Sequence, residues 1–246
     1  MRTALVLVGE SQDGCDRLVD LVQGLAPGVD VMAFRPCAAD AEIDRLLQAG
    51  DRTVDVVPLV LLASRDTGGG SADQFVSPTR CARAFGPHPR LIAAAAARVE
   101  AVVPRERWPQ TAVLLVGGTG TDSQANAEVA KTARLLLEGR PLATVETAFL
   151  AGAEPTVSQG LDRAHRLGYD TVVVLPWTLF EGPQTEQTAA QATGWAMDRS
   201  EVQVFLADPI GPGPELAEVV LERWVELSAG DLRTNCDTCS HRAHEH

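Results

Sequence analysis

Four polar loops, each following a predicted apolar strand, carry the side chains of this chain that are most capable of chemistry. Their carboxylates, hydroxyls and one arginine could bind a metal ion, take up protons or pair with an anionic ligand. Because ligands of open α/β sheets lie at the carboxyl ends of the strands, these loops predict one shared ligand site. They are Gly9–Gly14, Ser64–Ser71, Gly117–Gln124 and Pro176–Pro183.

The strands before these loops form two similar pairs. Residues 4–9 (ALVLVG) resemble residues 112–117 (AVLLVG), and residues 57–62 (VPLVLL) resemble residues 175–180 (LPWTLF). An internal duplication of this kind makes a two-lobed α/β protein with a ligand cleft between the lobes. Strands that alternate with helices predict a parallel sheet flanked by helices in each lobe.

The same pattern divides the chain into two lobes and a tail. We predict an N-terminal α/β lobe over 1–104, a C-terminal α/β lobe over 111–229 and a polar tail over 230–246. The segment 104–110 is the predicted linker between the lobes. In the first lobe, the apolar spacing predicts strands over 3–9, 29–34 and 54–62 and helices over 15–25, 40–49 and 89–102.

The overall composition limits the class of partner. The chain has 246 residues, and its hydrophobic content of 45% is ample for a core. Its net charge of −12 argues against nucleic acid, whose phosphates need clustered lysines and arginines. The longest apolar runs are strand-length, well short of the ~20 residues of a membrane span. Because the start shows no signal-peptide pattern, we expect a cytoplasmic protein with no membrane partner.

The C-terminal tail contains a candidate metal site of its own. Cys236 and Cys239 form a C-x-x-C pair, which is half of a four-cysteine site. Two thiolates alone rarely satisfy a metal, so a homodimer or the nearby histidines would have to add ligands. The odd number of cysteines, five, speaks for thiols rather than disulfides. The nearby histidines are His241, His244 and His246.

Long segments of the chain resemble the long, duplicated sirohydrochlorin chelatases. The likeness is strongest in the second lobe, at residues 116–131 (VGGTGTDSQANAEVAK), 157–168 (VSQGLDRAHRLG) and 172–182 (VVVLPWTLFEG). Residues 84–89 (AFGPHP) and 230–239 (GDLRTNCDTC) are similar to the middle region and the tail of that family. The resemblance covers most of the chain and is weaker at its start.

The resemblance implies a fold, an activity and a role for the tail. The fold is class II chelatase-like, with two parallel α/β lobes around a tetrapyrrole cleft. The activity is the insertion of a divalent metal, Co²⁺ or Fe²⁺, into sirohydrochlorin on the way to cobalamin or siroheme. For the tail, the resemblance implies an iron–sulfur cluster or a metal store held by the cysteine pair.

The first lobe departs from the family where metal-binding histidines are expected. The family has one histidine after its opening strand, in a G-H-G-S pattern, and another in the loop after the strand that begins P-L. Those histidines bind the incoming metal and help to take protons from the pyrrole nitrogens. Here residues 8–13 read VGESQD and residues 58–66 read PLVLLASRD, so Glu10 and Asp66 lie at or beside the two places. The resemblance therefore implies Glu10 and Asp66 as metal ligands and catalytic residues.

Carboxylates meet part of the chemistry that those histidines perform. They bind Co²⁺, Fe²⁺ or Ni²⁺ as harder ligands than imidazole, whose pKa is also better suited to proton uptake. An exposed carboxylate has a pKa near ~4, which burial or a second carboxylate nearby would raise. Glu10 and Asp66 would make such a pair if they face each other.

The other polar side chains of the four loops are candidate contacts for the tetrapyrrole. Arg65, together with Arg80 and Arg83, could pair with carboxylates of the ligand, and an aromatic ring such as Trp177 suits a flat macrocycle. The predicted substrate-binding set is Ser11, Ser64, Arg65, Thr119, Thr121, Asp122, Asn126, Trp177 and Glu181.

Three functions stay open on the sequence. Glu10 and Asp66 could replace the histidines in an active chelatase. The chain could instead bind a tetrapyrrole or a metal as a carrier or regulator that has lost the insertion chemistry. The cleft could also serve another small molecule.

Overall fold

Two lobes, each built on a four-stranded parallel sheet, make up the protein. The structure is a computed structural model, and it describes residues 2–48, 52–62 and 79–230. Among the helices of these ranges, none is long and apolar enough to cross a membrane.

The first lobe is a sheet with helices on both faces. It comprises strands β1 (Arg2–Val8), β2 (Asp30–Phe34), β3 (Arg52–Pro58) and β4 (Arg80–Cys81) and helices α1 (Gln12–Leu25), α2 (Pro36–Gln48) and α3 (Pro89–Val102). The strands pair in parallel in the order β2-β1-β3-β4. The central strand β1 is a continuous apolar run because helices cover both of its faces.

The second lobe repeats this plan after a short 3₁₀ helix, Arg105–Gln110, where the linker was expected. Its sheet has the order β6-β5-β7-β8, again parallel throughout. Its strands are β5 (Thr111–Thr119), β6 (Thr144–Ala151), β7 (Thr171–Pro176) and β8 (Gln203–Leu206), and its helices are α4 (Ser123–Leu137), α5 (Val157–Arg166), α6 (Pro183–Ala196) and α7 (Pro214–Ala229). The predicted fold class is confirmed.

The duplication holds at the level of single hydrogen bonds. In the first lobe Val8 is opposite Pro58, and in the second lobe Val116 is opposite Pro176. The amide that follows the proline donates to the carbonyl of the facing valine at 2.8 Å in both lobes, from Leu59 and from Trp177. The two strand ends are therefore equivalent positions in the two lobes.

A second pair of equivalent turns precedes α3 and α7. Residues 86–89 read GPHP and residues 211–214 read GPGP, and each stretch leads directly into its helix. Gly86 and Gly211 both have left-handed backbones, with φ of 65° and 74°. Glycine adopts this conformation without steric cost, so the repeated glycines fix the direction in which each helix leaves its sheet.

The terminal helix of each lobe packs on the other lobe. Helix α7 lies against α1 and β3, and helix α3 lies against α4 and β7. Two equivalent arginines complete this exchange through their guanidinium groups. Arg98 of α3 donates to the carbonyl of Ile210 at 2.7 Å, and Arg223 of α7 donates to the carbonyl of Phe85 at 2.8 Å. One apolar core, shared by α1, α3, α4 and α7, fills the space between the sheets.

Several elements differ from the expectation based on sequence. Helix α1 begins at Gln12 rather than at residue 15, and β5 continues to Thr119, through the first residues of the predicted loop 117–124. Helix α2 begins at Pro36 rather than at residue 40, because proline suits the first turn of a helix. Strand β3 ends at Pro58 rather than at residue 62, and the carbonyl groups of Val60 and Leu61 beyond it accept bonds from the turn before α3. The two-residue strand β4 is too short to show an apolar period.

Candidate functional site

Glu10 stands exposed at the carboxyl end of β1. The preceding Gly9 allows close packing there, since a Cβ at that position would lie 2.8 Å from Cys15 Sγ and 3.0 Å from Leu59 Cδ1. Ser11 then caps α1, and its Oγ accepts a hydrogen bond from the amide of Gly14 at 3.3 Å. The strand end therefore presents a carboxylate and a hydroxyl side by side at the start of a helix.

Cys15, directly beneath this turn, does not add a thiolate to the site. Burial, reinforced by the nearby Asp16 carboxylate, raises the pKa of the Cys15 thiol to about 11. The thiol therefore stays protonated at neutral pH, in which form it is a poor metal ligand.

In the second lobe, the loop after β5 is held by two of the predicted substrate contacts. The Asp122 carboxylate caps α4 and accepts from the amides of Gln124 and Ala125 at 2.7 and 3.1 Å. Asn126 donates from Nδ2 to the carbonyl of Gly120 at 3.0 Å. Thr119, the last residue of β5, and Thr121, in the loop that follows it, are exposed. The hydrogen bonds of Asp122 and Asn126 thus shape the loop that presents the two hydroxyls.

Trp177, one residue beyond β7, is 3% exposed and belongs to the core between the sheets. Its indole N–H has no hydrogen-bond partner within the described part of the chain. The other three tryptophans all donate: Trp108 to Val103 O at 3.0 Å, and Trp195 and Trp224 to Asp162 and Asp55 at 2.8 Å each. A buried donor without a partner is rare in native proteins, so the Trp177 N–H stands out at this edge of the sheet.

Glu181 follows four residues later and is exposed. Its carboxylate accepts a hydrogen bond from the Thr185 hydroxyl at 2.9 Å, which ties it to the first turn of α6. The loop between β7 and α6 therefore ends in a carboxylate held by its own lobe.

The loop after β7 of the second lobe touches the first lobe at the start of α1. Phe180, next to Glu181, packs its ring against Gly14 in the first turn of α1. This contact brings the loop after β7 of the second lobe to the helix that begins just after Glu10. Both residues lie in loops predicted to form the ligand site, 9–14 and 176–183, but neither is among the predicted substrate contacts.

Other predicted residues lie outside the described ranges. Ser64, Arg65 and Asp66 fall within residues 63–78, and Cys236 and Cys239 fall within residues 231–246. Their proposed roles stay predictions. Among the residues that are described, no group of three His, Cys, Asp or Glu side chains is arranged to hold a metal ion.

Arg80 and Arg83, considered as partners of ligand carboxylates, pair with carboxylates of the protein. Arg80 forms a bidentate pair with the fully buried Asp55, with both N–O distances at 2.8 Å. Arg83 pairs with Glu226 of α7 at 3.1 Å. Both arginines thus tie the first lobe together or join it to α7.

The loop before α3 holds a histidine whose role is visible in its contacts. His88 caps α3 by accepting from the amide of Arg90, and its Nε2 lies 2.8 Å from a carboxylate oxygen of Glu222. Burial outweighs this carboxylate and lowers the pKa of His88 below its ordinary value of 6.5. Burial alone would raise the pKa of Glu222, but hydrogen bonds from Arg90 and His88 hold that pKa below its usual range.

Comparison with known proteins shows which proteins this chain resembles. Residues 112–227 match the CbiX family model. A sirohydrochlorin cobaltochelatase from Priestia megaterium is 34% identical over 132 residues, covering 54% of this chain and 43% of that protein. A sirohydrochlorin ferrochelatase from Priestia megaterium is 22% identical over 224 residues, covering 85% of this chain and 83% of that protein. The chain thus spans less than half the length of the cobaltochelatase.

The fold resembles that of SirB from Bacillus subtilis, solved with Fe³⁺, with a TM-score of 0.72. That comparison covers 94% of this chain and 99% of that chain, at 19% sequence identity. The two lobes of this chain therefore share the fold of that protein. Together with the match over the second lobe, this confirms the resemblance seen in the sequence: the chain is similar to sirohydrochlorin chelatases over most of its length.

Proposed function

We propose that this protein inserts Co²⁺ or Fe²⁺ into sirohydrochlorin. The observation that carries the proposal is the family match over residues 112–227, the part of the chain that forms the second lobe. The two-lobed fold supports it, because polar loops of both lobes meet at one edge, where Phe180 touches Gly14. A flat tetrapyrrole between such loops would have side chains of both lobes on its two faces.

Metal insertion makes three demands on the protein. It must hold a divalent ion and release it again, keep the macrocycle in place, and carry away protons. The balanced reaction forms bonds from the ring nitrogens to the ion and breaks two pyrrole N–H bonds, so two protons leave for each ion inserted. The metal is a substrate here, so its site on the protein must bind it weakly enough to release it to the ring nitrogens.

Glu10 is the proposed first-lobe ligand and proton acceptor, acting with Asp66. Its exposed carboxylate follows β1, at or beside the place where the family pattern has its first histidine. A carboxylate binds Co²⁺ and Fe²⁺ through oxygen and is a harder ligand than imidazole, which favours release to ring nitrogens. Ser11, Ser64 and Arg65 are the proposed first-lobe contacts to the tetrapyrrole.

The second lobe is proposed to hold the macrocycle. Thr119, Thr121 and Glu181 are exposed at its strand ends and offer hydroxyl and carboxylate groups to the ring or its substituents. The indole N–H of Trp177 offers an unused donor. Asp122 and Asn126 act through the loop that they hold.

The direct test mixes purified protein with sirohydrochlorin and Co²⁺ or Fe²⁺ and follows the tetrapyrrole absorption spectrum. We expect the spectral change of metal insertion to proceed faster than in a protein-free control with the same metal. Equal rates with and without protein would contradict the proposed function.

A second candidate follows from the absence of both expected histidines in the sequence. On this alternative, the protein binds a tetrapyrrole or a metal as a carrier or regulator and has lost the insertion step. Tight binding of sirohydrochlorin without any acceleration would favour it. Failure to bind any tetrapyrrole would favour a cleft adapted to another small molecule.

A further inference from the structure

The contact between Phe180 and Gly14 is closer than ordinary packing around a glycine. A Cβ on residue 14 would lie 2.5 Å from Cδ1, 2.6 Å from Cγ and 2.9 Å from Cε1 of the Phe180 ring. Real Cβ atoms essentially never approach a neighbour so closely. The backbone of Gly14 is ordinary helix with negative φ, so it is the ring, and not the backbone conformation, that requires glycine here.

Gly14 is hydrogen-bonded to Ser11, which is the residue next to the candidate metal ligand Glu10. Its amide donates to Ser11 Oγ at 3.3 Å, and the amide of Cys15 donates to the carbonyl of Ser11 at 3.0 Å. Ser11 follows Glu10 in the chain and ends the same turn. A displacement of Gly14 therefore moves the turn that carries the Glu10 carboxylate.

Phe180 is in turn fixed to the second lobe. Its carbonyl accepts from the Thr178 hydroxyl at 3.3 Å, and the carbonyl of the buried Leu179 accepts from the amide of Gly211 at 2.6 Å. The ring itself packs on the core between the sheets. Because the loop is fixed to the second lobe, the contact of Phe180 with Gly14 determines where the first turn of α1 lies relative to the second lobe.

We propose that Phe180 is a positioning residue that sets the place of Glu10 relative to the second lobe by packing on Gly14. The inference rests on the proposed function, in which Glu10 meets an ion above a macrocycle held by the second lobe. Catalytic groups must be held close to their productive geometry, and a misplacement of 1 Å costs up to about 100-fold in rate. Phe180 acts through Gly14 and does not itself touch the reacting atoms.

The test is a double-mutant cycle on steady-state metal insertion into sirohydrochlorin, with Co²⁺ as the metal. It uses Phe180→Leu, Gly14→Ala and the two combined. The matched control is Gly24→Ala, because Gly24 lies near the other end of α1 and a Cβ there meets nothing within 4 Å. Thermal denaturation of every variant shows which of them keep the fold.

We expect Phe180→Leu and Gly14→Ala each to lower kcat by about tenfold, with the KM for sirohydrochlorin changed by less than about threefold. The double variant should be far less impaired than the product of the two single effects, because the side chain that clashes has been reduced. Gly24→Ala should keep the kcat of the wild type and denature at an equal or higher temperature.

Two results would overturn the inference. One is a folded Phe180→Leu variant with the kcat of the wild type, and the other is a set of Phe180 and Gly14 effects that simply multiply. A wild-type protein that does not accelerate insertion at all would refute the proposed function itself. An active wild type that tolerates both single changes would refute only the positioning role.

Discussion

At the scale of single residues, Trp177 is the side chain for which experiment can distinguish a structural role from a binding role. It is as buried as the other core tryptophans. Among the four tryptophan N–H groups, however, only that of Trp177 lacks a partner in the described structure. Leaving a buried donor unpaired costs about 1–3 kcal/mol of folding free energy. If the tetrapyrrole displaces the side chains that cover this N–H, the N–H gains a partner, and this is the basis of the binding prediction for Trp177.

Replacing Trp177 with phenylalanine removes this unpaired donor together with part of the ring. The matched control is Trp195→Phe, which makes the same change in side-chain size but removes a hydrogen bond to Asp162. We expect Trp177→Phe to cost about 1 kcal/mol less unfolding free energy than Trp195→Phe, as measured by urea denaturation. We also expect Trp177→Phe, but not Trp195→Phe, to weaken the binding of sirohydrochlorin. The opposite order in either measurement would contradict a role for this donor in binding.

At the scale of elements, the exchanged helices α3 and α7 hold the lobes together through equivalent arginines of unequal burial. Arg223 is 2% exposed, whereas Arg98 is partly exposed. Burial lowers the pKa of Arg223, and its guanidinium group donates to the Glu226 carboxylate at 2.9 Å.

Truncation of the two arginines should therefore have unequal effects. Arg223→Ala leaves the buried carbonyl of Phe85 without its donor and leaves a cavity, so we expect a loss of about 3 kcal/mol in unfolding free energy. Arg98→Ala leaves the carbonyl of Ile210 nearer to solvent, and we expect a loss of about 1 kcal/mol. Urea denaturation at neutral pH measures both. Equal losses would show that burial does not decide the strength of these contacts.

The junction between His88 at the start of α3 and Glu222 in α7 should make stability depend on pH. Because burial lowers the pKa of His88 in the folded state, the unfolded chain binds a proton more readily. The corresponding stability is present above the unfolded pKa of about 6.5 and is lost as the pH falls through the folded pKa.

We therefore expect the urea midpoint to fall between pH 7.5 and pH 5.5, and to fall less in His88→Asn. Asparagine retains a side chain that caps helices, so the comparison isolates the titrating group. The control is His165→Asn, since His165 is partly exposed and lies in α5 of the second lobe. A pH dependence unchanged by His88→Asn would remove His88 as its cause.

How far the sequence predicts these elements depends on their length and surroundings. The strands β1 and β5 contain long apolar runs, so their pattern alone predicts them, and helix α3 begins and ends at its predicted residues. Strand β4 and the start of α2 depend on neighbours and on a single proline, which periodicity does not register.

The candidate site was less predictable than the fold. Glu10 and Glu181 are exposed at strand ends, as their loop positions indicate. The burial of Trp177 and the contact of Gly14 with Phe180 depend on how one lobe packs on the other. Gly14 and Phe180 are some 165 residues apart in the chain. Local patterns carry no information on such a distant contact.

At the scale of the whole molecule, the two lobes form one unit. The core between the sheets contains residues of both lobes, and the last helix of each lobe packs against the other lobe. The relative position of the two lobes is therefore fixed by packing as well as by the linker. This arrangement suits a reaction in which an ion bound by one lobe must meet a macrocycle held by the other.

The predicted metal role of the tail belongs to this scale as well, because Cys236 and Cys239 need ligands from elsewhere to complete a site. It stays a prediction, as does a homodimer that would supply those ligands. Absorption in the visible charge-transfer region after anaerobic purification measures a cluster directly.

The central claim is that carboxylates at the first-lobe loops do the work of the absent histidines. The most direct measurement compares the rate of Co²⁺ insertion into sirohydrochlorin by the wild type, by the double variant Glu10→Ala with Asp66→Ala, and by Asp20→Asn, which changes an exposed acid elsewhere on α1. We predict that the double variant falls to the uncatalysed rate while Asp20→Asn keeps the rate of the wild type. A double variant as fast as the wild type would contradict the account.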